Sequence, residues 1–156
     1  MKGGKMSIFK DFSEIYDYTH MWNWGPDWIL VKDIYIIFPD SYSVLTPFAY
    51  TYLEELIRST TSEYGMPLLN REGKKNNLKV GIKLINLAIT ENIENDPYVK
   101  LLEKAKKYFR YDYDDPHDEN GRNTVLHGHL HPRFWDKDGF EKLIHLIAEM
   151  SPYAGF

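Results

Sequence analysis

Residues 46–57, Thr-Pro-Phe-Ala-Tyr-Thr-Tyr-Leu-Glu-Glu-Leu-Ile, are the stretch on which the fold class turns. Threonine followed by proline reads as a helix opening. The Thr46 oxygen is free to cap the first turn, and Pro47 falls where its missing N–H costs nothing. Phe48, Tyr52, Leu53, Leu56 and Ile57 then recur at the three- and four-residue spacing of one helical face, and Gly65 is placed to end the element in a left-handed conformation.

The same period continues towards the C-terminus. Asn70 to Asn77 is polar, holds Gly73 and two lysines, and reads as a surface loop. Leu78, Ile82, Ile85 and Ile89 mark a further helix. Asp96-Pro97 repeats the cap-plus-proline signature, with Val99, Leu102, Ala105 and Phe109 opposite Lys100, Glu103, Lys104 and Lys107. After an acidic stretch from Tyr111 to Gly121, Asp138 and Glu141 have the spacing of a capping box ahead of Phe140, Leu143, Ile144 and Ile147.

Towards the N-terminus, Trp22, Trp24 and Trp28 cluster around a Gly25-Pro26 turn. Asp27 can cap a helix whose Ile29, Ile34, Ile37 and Phe38 face inward. Val31, Ile34, Tyr35, Ile36 and Ile37 suit a strand equally well, so both readings stand. With no repeat, low-complexity tract or linker, residues 1–156 are expected to form one all-α domain, a helical bundle of four or more helices.

Composition narrows the chemistry. The chain is 43% hydrophobic, 15% aromatic and 27% charged, far from the composition of disordered chains. Cysteine is absent, which excludes thiol nucleophiles, thiolate zinc sites and disulfides and suits a cytosol. Met1 to Lys10 holds no apolar core of a signal peptide. Trp28 to Phe38 is interrupted by Lys32 and Asp33 and is too short for a bilayer. A cytoplasmic protein without membrane contact is the expectation. The net charge of −4 gives no overall basic footprint, so any RNA contact must be local.

Local chemistry concentrates between Arg122 and His127. Arginine offers a permanent cation with a planar fork for phosphate oxygens, and histidine exchanges a proton near neutral pH. At about 100° per residue on a helix, Asn123 and His127 share a face with Arg122 at its edge, while Val125 and Leu126 turn to the core.

The string Arg122-Asn123-Thr124-Val125-Leu126-His127, followed by Gly128, resembles the signature of the HEPN superfamily of helical bundles. Many bacterial members read Asn-Arg-polar-x-x-Leu-His-Gly; here Gly121 replaces the leading asparagine, with Asn120 one place earlier. The position late in the chain, after several helices and before one closing amphipathic helix, agrees with that family.

The resemblance implies a metal-independent endoribonuclease without cofactor, in a toxin or antiviral defence setting with an antitoxin or regulatory protein. His127 would be general acid or base, Arg122 would hold the phosphate, and Asn123 would orient one of these or the substrate. The family pairs two motifs across a homodimer, which the resemblance therefore also implies. A non-catalytic HEPN-like scaffold binding RNA, a nucleotide or a partner protein is the alternative. Where toxins of the family carry a modifiable tyrosine two residues after the histidine, this chain has His129, which puts that route of regulation in doubt and leaves His129 as a candidate substrate contact.

Lys104, Lys107 and Arg110, with Lys106, form a basic helix end suited to an RNA backbone, although such residues commonly serve as a solvated face complementing the helix dipole. The bland readings of Arg122 and His127 are a surface ion pair with the acidic stretch and a histidine packed between helices. His127, His129 and His131 would converge on a metal with Asp112, Asp114 or His117 only on an extended segment; a helix through His127 argues against it. The tryptophans are expected to pack in the core or an interface in preference to stacking on bases.

Overall fold

Six α-helices form among the described residues, 4–109 and 136–156 of a computed structural model: α1 (Gly4–Tyr18), α2 (Gly25–Ile37), α3 (Tyr42–Ser59), α4 (Gly81–Glu91), α5 (Asp96–Phe109) and α6 (Lys137–Met150). No strand occurs among these residues beyond an isolated bridge from Leu69 to Lys75 in the exposed loop, so the all-α bundle is as the periodicity indicates.

The deciding stretch lies inside α3, but the helix starts four residues before Thr46. A single 3₁₀ turn, Pro39–Ser41, runs directly into it. Thr46 is therefore no cap; it is buried and its Oγ1 donates to the Tyr42 carbonyl at 2.6 Å. Pro47 stands within the helix, where its missing N–H removes the usual donor to the Ser43 carbonyl. Tyr52, Leu53, Leu56 and Ile57 are fully buried. The helix ends without glycine because Ser59, Thr60 and Thr61 hydroxyls donate to the carbonyls of Leu56, Ile57 and Arg58, at 2.6, 2.8 and 2.9 Å. Gly65 takes its positive φ of 73° in the turn beyond.

In α2 the helical reading prevails, with the opposite face inward. Trp28, Val31 and Tyr35 are buried, while Ile37 and Phe38 are 67% and 66% exposed and Ile29 and Ile34 also face out. The aromatic rings decide the matter. Trp28 packs against Phe12, Phe48 and Tyr52 with centroids 6.3, 5.2 and 4.9 Å away, and Tyr35 against Phe12 and Phe140 at 6.0 and 5.1 Å. Two large rings bury more area than the isoleucine row they displace. Asp27 lies in the first turn and is not the cap, because the helix already opens at Gly25-Pro26.

α1 is a helix that composition concealed. Its residues Ile8, Phe12 and Ile15 recur at helical spacing on a buried face, and it packs more extensively against α6 than any other two elements pack together. α4 turns Leu84, Ile85 and Ala88 inward and leaves Ile82 and Ile89 partly buried, while Leu78 precedes the helix. α5 follows expectation, burying Leu102, Ala105 and Phe109 with Tyr98; its cap is Asn95, whose Oδ1 accepts the Tyr98 N–H at 3.4 Å. In α6 the cap is Asp136, which accepts from the Gly139 N–H. Asp138 pairs instead with Lys142, and Glu141 accepts the Tyr35 hydroxyl, so the capping box does not form.

No described helix is long and apolar enough to cross a membrane.

Candidate functional site

Arg122, Asn123 and His127, together with Arg110 and His129, lie outside the described residues, as do Asp112, Asp114, His117 and His131. Lys104 and Lys107 are described, and they stand at a groove.

α5 and α6 run antiparallel along that groove. Lys104 Nζ meets Glu149 Oε2 at 3.2 Å near the end of α6, while Tyr108, near the end of α5, lies beside Lys142 and Asp138 from the start of α6. The two helix ends that flank residues 110–135 therefore lie at one end of the bundle. Between the helices is a cleft of about 290 Å³ lined by Lys104, Lys107, Tyr108, Lys142, His145, Leu146 and Glu149. Lys142, His145 and Glu149 share a face of α6 because three- and four-residue steps bring side chains into register, and Leu143, Ile144 and Ile147 on the other face are buried.

The electrostatics of the cleft are lopsided. Three ammonium groups line it against one carboxylate, Glu149. Lys104 is engaged with Glu149 and Lys142 with Asp138, whereas Lys107 has no carboxylate partner among the described residues. Hydrogen bonding and attraction from Asp138 raise the Lys142 pKa, so that group stays charged. Burial raises the Tyr108 hydroxyl, against a smaller lowering by Lys142, and keeps it neutral as a donor.

Sequence reasoning passed over His145, which lines this groove and is paired with a carboxylate beside it. His145 Nδ1 lies 3.1 and 3.2 Å from the two carboxylate oxygens of Asp11 on α1. The Asp11 side chain is only 11% exposed and that of His145 is 55% exposed. An ionised carboxylate only accepts hydrogen bonds, so Nδ1 is the donor in this contact and Nε2 is left free of Asp11. His145 Nε2 is 4.0 Å from Glu149 Oε1, on the groove. A signal existed in the sequence: Asp11 is spaced from Ile8 and Ile15 as a member of their apolar face, where a carboxylate must find a partner.

The tryptophans divide. Trp28 is buried and Trp24 partly buried against Phe48 and Tyr52, but Trp22 is 82% exposed. Among the described residues no three histidine, aspartate or glutamate side chains converge as a metal set.

Comparison with protein-family models, curated proteins and solved structures returns no match to this chain.

Proposed function

We propose that this chain is a HEPN-like, metal-independent endoribonuclease in which Arg122, Asn123 and His127 act on RNA and the groove between α5 and α6 holds the adjoining backbone. The observation that supports it most is the cationic groove. Its lysines stand on the helix that leads into residues 110–135 and on the helix that follows them, at the bundle end where the motif-bearing segment is attached.

In this reading the ribose 2′-oxygen forms a bond to phosphorus while the bond from phosphorus to the 5′-oxygen breaks. The products are a 2′,3′-cyclic phosphate and a 5′-hydroxyl. One group takes the 2′-hydroxyl proton and a second delivers one to the departing oxygen, each worth about 10² to 10⁴ in rate. His127 supplies one of these functions, Arg122 holds the phosphate and stabilises charge building on its oxygens, and Asn123 orients them.

Two proton-transfer groups and one motif per chain call for a second copy, a two-fold homodimer with a composite cleft. The outward apolar row Leu30, Ile34 and Ile37 on α2, continued by Phe38 just beyond it, supports such an association. It adjoins the same bundle end, since Tyr35 of α2 contacts Phe140 and Glu141 near the start of α6. A toxin or defence role under control of an antitoxin or other regulatory protein belongs to the same proposal.

The test is incubation with a mixed RNA pool in EDTA, with Arg122→Ala and His127→Ala alongside. Cleavage by wild type alone, leaving cyclic-phosphate ends, is the expected result. Intact RNA in all three, with RNA still bound, would replace this function with that of a non-catalytic scaffold.

A further inference from the structure

We propose that the groove between α5 and α6 is a phosphate-oxyanion site in which the imidazole of His145, held from behind by Asp11, is a ligand. That the phosphate belongs to single-stranded RNA rests on the function proposed above; that the groove takes a phosphate does not.

The Asp11 carboxylate is nearly buried at an inward position of α1, and a buried carboxylate is costly unless a donor meets it. His145 is the partner that meets it, through both oxygens. This contact fixes the ring, fixes the proton on Nδ1 and turns the imidazole into a cation once Nε2 is also protonated. The charged groups facing the ring are Asp11 from α1, Lys104 and Lys107 from α5, and Lys142 and Glu149 from α6.

Glu149 indicates what kind of acceptor these donors meet. Its carboxylate lies 3.2 Å from Lys104 Nζ and 4.0 Å from His145 Nε2, so an oxyanion from within the protein already stands at the rim of the groove. A phosphate brings more oxygens than a carboxylate and adds Lys107, which has no carboxylate partner among the described residues. Charge-assisted hydrogen bonds from lysine and imidazolium to such oxygens are about twice as strong as neutral ones.

Two probes test this. Inorganic phosphate is titrated while the His145 imidazole resonances, assigned by their loss in His145→Gln, are followed by NMR. A labelled single-stranded RNA oligonucleotide is titrated by fluorescence anisotropy in a His127→Ala background, which prevents turnover, with and without His145→Gln or Lys107→Ala. His145→Gln is expected to weaken RNA binding roughly tenfold. Lys107→Ala should reduce the slope of log affinity against log salt by about 0.7.

Saturable movement of the His145 resonances by inorganic phosphate identifies a free-phosphate site. RNA dependence without that movement identifies the polymer's phosphodiester, and both outcomes support the proposal. Resonances that do not move, with RNA affinity indifferent to His145→Gln, overturn it. His145 is more than half exposed, so the glutamine variant keeps the core intact, and its circular dichroism and unfolding midpoint verify this. The two proposals fail separately. Binding that needs His145 without any cleavage removes the ribonuclease reading alone, and cleavage with RNA binding indifferent to His145 and resonances unmoved by phosphate removes this one alone.

Discussion

Replacing Gly155 by alanine should detach the C-terminal tail from the bundle. A Cβ at this position would stand 2.1 Å from the Ser59 carbonyl oxygen and 3.0 Å from its carbon. The obstacle is main chain at the end of α3, not a side chain able to swing away. The tail must therefore lift. It then loses the hydrogen bond from the Gly155 N–H to Ser59 Oγ at 2.9 Å, and the packing of Phe156 on His20, Tyr52 and Tyr64, whose ring centroids are 6.4, 6.0 and 6.1 Å away. The hydrogen bond contributes about 1 kcal/mol. A partly buried phenyl contributes about half of the ~2–3 kcal/mol of a fully buried one. The sum, about 2 kcal/mol, corresponds to a fall of roughly 4–8 °C in the unfolding midpoint for a chain of this size. Calorimetry on Gly155→Ala, on a chain lacking Phe156 and on the combination reads it directly. The combined loss should scarcely exceed that of Gly155→Ala, because the ring has already left its site. A variant as stable as wild type, or two losses that add, would refute the argument.

Alkaline unfolding should follow two buried tyrosines. Burial pushes Tyr52 and Tyr98 from 10.0 up to about 12, against partial lowering by hydrogen bonds to Thr19 and Thr60. A raised folded value stabilises fully below the unfolded value of 10.0, so stability should decline as pH rises from there towards 12; Tyr52→Phe and Tyr98→Phe should flatten that decline in denaturant titrations. Lysine at Ile34 and Ile37 should convert a wild-type dimer into a monomer in light scattering while leaving helicity unchanged, since both side chains already face out. A wild type that is monomeric at all concentrations would remove the composite cleft.

How much of this was legible in the chain depends on how each signal arises. Periodicity located α3 to α6 because their apolar rows coincide with buried faces, as Leu102, Ala105 and Phe109 do in α5. Boundaries were less legible. Thr46-Pro47 carries a helix-opening signature, yet a helix already under way from Tyr42 absorbs it, and Ser59 to Thr61 end α3 with hydroxyls where a glycine was expected. The face of α2 was misread because a row of isoleucines outweighs two aromatics in a count but not in buried area. Lys104 and Lys107 were legible as a basic helix face; that they border a groove with His145 depends on an antiparallel neighbour and on a carboxylate 134 residues away, which no local pattern encodes.

The pairing of α1 with α6 bears on how the chain is made. During synthesis Ile8, Phe12 and Ile15 of α1 emerge well ahead of α6, the helix that packs most extensively on them. At about 5–20 residues per second, α1 waits on the order of ten seconds with part of its apolar stripe uncovered. The bundle therefore cannot close until α6 is made, and nascent chains stalled before α6 should be retained by holding chaperones that the folded bundle no longer engages.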